Sequence, residues 1–189
     1  MNDLLGYLLG GAIIAAFAAG FWYLFRHRRQ IQEAFAGFAA THGLETKLGT
    51  YPRVEGEIDG RKFSMASERQ KFQRGTKQKV LEFHMRLALM TVPPTGLVVY
   101  KKGRLEGTGI ATGDGAFDKR HKIMADEPQA ALAYLTAPRR RALAALSAFE
   151  GGLYSGELAI FCLGFKPREA WFEERLQALL AAVKALEQP

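Results

Sequence analysis

Residues 4–25, LLGYLLGGAIIAAFAAGFWYLF, form an uncharged run of twenty-two residues. As a helix rising about 1.5 Å per residue, the run is roughly 33 Å long, enough for a hydrocarbon core about 30 Å thick. The rest of the chain then reads as a domain on a membrane tether. A cleavable signal peptide is the competing reading, supported by the small residues from Ala15 to Gly20. Only Asn2 and Asp3 precede the run, so a basic leading region is missing. The apolar stretch also continues through Phe21, Trp22, Tyr23, Leu24 and Phe25 before it stops at Arg26. Trp22 and Tyr23 followed by Arg26, Arg28 and Arg29 match a membrane–water boundary, with amphipathic rings and then cations in water.

The expectation is a retained single-pass anchor over residues 1–29, followed by a domain over 30–189. The arginines place the domain in the cytoplasm and the N-terminus outside a bacterial inner membrane. Gly6 and Gly10 form a G-x-x-x-G, and Gly11, Ala15 and Ala19 continue small residues at that spacing. Small residues four apart let a second helix approach closely. The partners expected are membrane lipid and, through this helix, a membrane protein or a second copy of the chain.

All 26 Lys and Arg follow residue 25, and only Asp3 of the 19 acidic residues precedes it. The tethered part is therefore basic and suited to an anionic partner. Cys162 is the only cysteine, which excludes an internal disulfide framework or thiolate metal site.

Ile31, Phe35, Phe38 and Ala39 recur at helical spacing, and Gly43 marks the stop. Val54, Gly56 and Ile58 alternate before Asp59-Gly60, a hairpin signal, and Phe63 and Met65 alternate after it. Lys79 to Thr91 predicts a half-exposed strand with Phe83, Met85 and Leu87 on one face. Pro93 to Gly96 turns the chain into Leu97–Tyr100, completing an antiparallel meander of three or four strands. Lys119 to Met124 predicts a further strand. Asp126 caps a predicted helix, Thr136-Ala137-Pro138 opens another, and Gly151-Gly152 ends it. Leu153 to Leu163 predicts a hairpin turning at Ser155-Gly156. Pro167 opens a last helix with an apolar stripe from Phe172 to Leu186. Strands grouped without βαβ alternation indicate an α+β fold: one transmembrane helix, then an antiparallel sheet packed by helices.

Two polar stretches are candidates for function. The loop from Glu68 to Lys79 carries Arg69, Lys71, Arg74, Lys77 and Lys79 around Phe72, a basic finger suited to anionic lipid or a protein. Nucleic acid is disfavoured, because no stacking platform or recognition helix accompanies the charge. Asp114, Asp118 and His121 can be drawn as a metal or acid–base site, but no third ligand and no H-E-x-x-H accompanies them. Asp114 beside glycines reads as a turn residue and Phe117 as a buried anchor. Cys162 sits on an alternating apolar strand and reads as core. No nucleophile elbow, phosphate loop or dinucleotide glycine pattern occurs, so the sequence gives no enzyme signature and calls for no cofactor.

Thr112, Gly113, Asp114, Phe117, Asp118 and Lys119 form a T-G-D-x-x-F-D-[KR] segment, followed by a short strand and then Leu135, Thr136 and Arg140. This pattern resembles a group of uncharacterised single-pass, membrane-anchored bacterial proteins. The resemblance implies no activity and carries over no functional residues.

The expected function is that of a non-enzymatic accessory or scaffolding subunit of a membrane protein complex. The alternatives are a tethered sensor of anionic lipid and a hydrolase or transferase with a site near Asp114, Asp118 and His121.

Overall fold

The computed structural model describes the backbone of residues 2–71, 79–103, 109–163 and 168–188. Side chains at 2–10, 12–13, 69–71 and 79–81 are not described. One helix, α1 (Asn2–His42), runs unbroken across the apolar run and the predicted domain helix. Gly43, at φ 64°, ends it, and the Leu44 amide donates back to the Ala39 carbonyl at 2.8 Å. A glycine there escapes the Cβ penalty of left-handed backbone.

The strands are β1 (Glu45–Lys47), β2 (Arg53–Ile58), β3 (Arg61–Lys71), β4 (Lys79–Ala88), β5 (Val98–Lys101), β6 (His121–Met124), β7 (Gly151–Tyr154) and β8 (Glu157–Leu163). They form one sheet in the order β1-β2-β3-β4-β8-β7-β5-β6, and every pairing is antiparallel. The helices after α1 are α2 (Gly115–Arg120), α3 (Pro128–Tyr134), α4 (Ala137–Leu146) and α5 (Glu169–Glu187). An antiparallel sheet packed by helices is therefore present, as the sequence indicated.

One sheet face is apolar. Across it run Phe63, Leu87, Leu158, Leu153, Val99 and Ile123, and beside them Val54, Met65, Met85 and Ile160, all buried. Onto this face pack the end of α1, through Phe35 and Phe38, and α5, through Phe172, Leu176 and Leu179. Phe172 lies at the centre of the layer, with ring centroids 5.1 Å from Phe35, 5.8 Å from Phe38 and 5.4 Å from Phe83. Polar ties flank it: Thr41 Oγ1 donates to Glu169 at 2.9 Å, and His42 bonds Glu173. Arg61, just past the Asp59-Gly60 turn, pairs with Glu187 at 2.5 Å and ties that hairpin to the end of α5.

Several expectations need correction. Among the described residues no helix is long and apolar enough to cross a membrane. The transmembrane anchor is therefore not supported, and neither is the single-pass inner-membrane location inferred from it. The meander is larger than expected and ordered differently: β4 pairs with β8, and β5 lies beyond β7. Glu127, not Asp126, is the N-cap of α3 and makes no side-chain cap bond. Gly151 and Gly152 do not end a helix but open β7. A Cβ on Gly152 would lie 2.4 Å from the Val99 carbonyl oxygen, so this glycine lets β7 lie against β5.

Candidate functional site

The segment from Thr112 to His121 folds as a capped turn of helix that enters β6. Asp114 is the N-cap of α2 and accepts from the Phe117 amide at 3.2 Å. Asp118 accepts from the Thr112 amide at 3.0 Å, the Thr112 hydroxyl at 2.7 Å and the Gly113 amide at 3.1 Å. Both carboxylates are thus engaged by neighbouring backbone. Phe117 is buried, as expected, and the His121 ring stacks on it at 4.1 Å and 16°. His121 is buried too, with Nδ1 3.1 Å from the Phe117 carbonyl oxygen and Nε2 without a partner. Burial lowers its pKa, and Arg120 and Lys101 push in the same direction.

The residue that the sequence reading left unassigned is Arg140. From the first half of α4 it reaches Asp114 Oδ2 at 3.3 Å and the Leu135 carbonyl oxygen at 2.6 Å. The amide bond from Phe117 and then the Arg140 guanidinium hold the Asp114 carboxyl below its usual range. The T-G-D and L-T-x-x-x-R parts of the segment pattern thus meet in space: Asp114 in the first touches Arg140 in the second. The acid–base reading would have Asp114, Asp118 and His121 act on one substrate. Instead each makes its own structural bond, and among the described residues no group of three or more His, Cys, Asp or Glu could hold a metal.

The basic finger falls mostly outside the described residues. β3 runs to Lys71 and β4 begins at Lys79, paired with each other, so the stretch does join two strands. Phe72, Arg74 and Lys77 lie outside the described residues, and of Arg69, Lys71 and Lys79 only the backbone is described. Cys162 is buried beside the Phe149 carbonyl, and burial raises its thiol pKa, which disfavours the reactive thiolate.

The sheet face away from the helices carries Arg53, Glu55, Arg86 and Glu157, with Phe161 and His84 among them. Arg86 lies over the Phe161 ring at 5.7 Å, and Tyr154 meets the same ring edge-on at 5.3 Å. Arg53–Glu68 and Arg86–Glu157 pairs balance much of its charge.

The largest exposed apolar feature is on α1. Ile14, Phe17, Phe21, Trp22, Tyr23, Leu24 and Phe25 are each between 62% and 76% exposed, and among the described residues of the helix the first buried one is Ile31. Gly11, Ala15 and Ala19 are exposed on the same stretch, while only the backbone of Gly6 and Gly10 is described. Arg26 lies 5.2 Å over the Trp22 ring, and Arg28 donates to Thr50 at 3.1 Å. Arg29 pairs with Glu33 at 2.7 Å. The basic residues after the apolar run are therefore partly engaged by the chain itself.

No protein-family model and no curated protein matches the chain. Among solved structures the fold is similar to the mycobacterial trehalose monomycolate transport factor A, TtfA. The TM-score is 0.54 at 12% identity, over 84% of this chain and 96% of that one. At this identity the likeness concerns the fold.

Proposed function

We propose that this chain is a non-enzymatic accessory protein of a transport assembly, docked on a protein partner through the apolar stretch of α1. The observation that carries the reading is the exposure of Phe17, Phe21, Trp22 and Phe25 on a helix whose later residues are core. Fully burying a side chain of this size is worth about 1.5–3 kcal/mol. A contiguous exposed patch of such side chains marks an interaction surface. Asp114, Asp118 and His121, the groups best placed for catalysis, make structural bonds instead, which favours binding over chemistry. The similar fold belongs to a protein described as a transport factor, and that role is carried here as part of the proposal.

The test is site-specific photo-crosslinking in cells from Phe21, with Tyr51 on the domain surface as control. A discrete protein adduct from position 21 and not from 51 supports the reading. Adducts to lipid alone, or the same adducts from both positions, overturn it.

A further inference from the structure

Strand pairing gathers several separate segments at one end of the sheet. Lys47 lies opposite Arg53, Arg53 opposite Ala66, and Leu163 opposite Glu82. The β1–β2 loop, the end of β3, the start of β4 and the end of β8 therefore lie together. α1 leaves the domain at this end, where Arg28 donates to Thr50 at 3.1 Å and Gln32 to the Gly49 carbonyl at 2.9 Å. α5 starts there too, with the Trp171 ring of its first turn 4.9 Å from that of Phe83 on β4. The opposite end holds the Asp59-Gly60 and Ser155-Gly156 turns and the last turn of α5, whose Glu187 accepts from the Met90 amide.

We propose that the first end rests on a lipid bilayer surface bearing anionic headgroups. Apolar and cationic side chains are exposed there side by side. Leu48 is 53% exposed, Leu163 52% and Tyr51 37%, and none of them belongs to α1. Among them stand the exposed cations Arg28, Lys47 and Arg168. The Thr50 hydroxyl holds Arg28 without neutralising it, and Lys47 has only an exposed Glu55 at 3.7 Å. Arg29 and Arg53 are paired, with Glu33 and Glu68. At a bilayer boundary apolar groups enter the headgroup layer while cations stay beside the phosphates. α1 supports the same orientation, since its exposed Trp22 and Tyr23 lie beyond this end with Arg26 5.2 Å over the Trp22 ring. The opposite end also exposes apolar groups, Met90 and Val92, but there Lys62 and Lys184 are offset by Asp59, Asp126 and Glu127. The sign of the charge thus separates the two ends. Such contact lies at the headgroup surface and requires no spanning helix.

The test uses the full chain with an environment-sensitive fluorophore on an introduced cysteine, Leu48→Cys at the first end or Val92→Cys at the opposite end. Cys162 is buried and stays in place. Vesicles are phosphatidylcholine alone or phosphatidylcholine mixed with phosphatidylglycerol. The mixed vesicles should shift the emission at position 48 to the blue and leave position 92 unchanged. A cation near an anionic surface strengthens binding about fivefold, so Arg28→Gln/Arg168→Gln should weaken the response at position 48 by roughly 25-fold. Lys62→Gln/Lys184→Gln, an equal loss of charge at the opposite end, should leave it within about twofold of the unsubstituted chain. Absence of a shift at position 48 overturns the proposal, as do equal shifts at the two positions. An equal response to the neutral vesicles, or an equal loss in the two charge variants, overturns it as well.

Discussion

Replacing Phe38 by alanine removes a fully buried ring from α1 whose centroid lies 5.8 Å from both Phe63 and Phe172 and 4.6 Å from the His42 ring. The ring joins three elements: α1, β3 and α5. A Phe→Ala change in a core of this kind costs about 3–5 kcal/mol, made up of lost transfer energy and the cavity left behind. Phe38 sits between a helix and a sheet that are also tied by Thr41–Glu169 and His42–Glu173. Those ties limit collapse around the cavity, so the upper half of the range is expected.

Phe21→Ala is the internal control. It makes the same chemical change on the same helix at a position 76% exposed, and surface substitutions usually stay within about 0.5 kcal/mol. Urea unfolding of the full chain, followed by tryptophan fluorescence, reads both. For a chain of this size each kcal/mol shifts the thermal midpoint by about 2–4 °C, so a loss of about 4–5 kcal/mol in Phe38→Ala should lower it by roughly 8–20 °C. A loss below about 1 kcal/mol for Phe38→Ala would show that the end of α1 is not part of the core. Equal losses for the two variants would refute the division of α1 into an exposed half and a buried half.

Three further outcomes follow from particular contacts. Asp118→Asn leaves the Thr112 and Gly113 donors with a neutral partner and should cost about 1.5–3 kcal/mol in urea unfolding. Gly152→Ala places a methyl 2.4 Å from the Val99 carbonyl oxygen and should destabilise by about 1–3 kcal/mol, with the earliest loss of amide protection in β5 and β7. His121 has a pKa lowered from 6.5, mainly by burial, so near that pH the unfolded state binds more protons than the native state. Its contribution is therefore neutral above pH 6.5 and becomes destabilising as pH falls below it, until the native imidazole also protonates. The fall in stability from pH 7 to pH 5 should be smaller in His121→Gln than in the wild type.

Hairpins and helix faces were legible because their signals are local. Asp59 and Gly60 both adopt positive φ, at 51° and 70°, as an Asp-Gly turn between alternating segments requires. Ser155 and Gly156 do the same at the second hairpin. The α5 stripe, with Phe172, Leu176, Leu179, Val183 and Leu186 buried, follows from helical period alone. Strand order was not legible. Alternation tells which face of β4 is buried but not whether β5 or β8 lies beside it, and chain neighbours pair only about two-thirds of the time. The six-residue α2 was hidden as well, because it is set by the Asp114 cap rather than by any apolar period. At the candidate site both Asp114 and Arg140 stood in the segment pattern, but their contact depends on how α4 packs.

The two halves of α1 obey different rules. In the second half, Ile31, Phe35, Phe38 and Ala39 lie at i, i+4, i+7 and i+8, and the side chains between them are more exposed, the pattern of a helix with one face on a core. From Ile14 to Phe25 no such asymmetry exists. Residues on every side of the helix are apolar, and all are exposed. A helix that is apolar all round must be covered on all sides to be at a free-energy minimum in water. Among the described residues the domain does not cover it, and the first buried one on α1 is Ile31. On the proposed reading, a protein partner supplies the missing contacts. Because the need for cover goes all the way round, a partner that grips one face would still leave aromatic rings in water. A partner that encloses the helix between several of its own elements meets the requirement, which is why crosslinks from Phe17 and from Trp22, four-tenths of a turn apart around the axis, should reach the same protein.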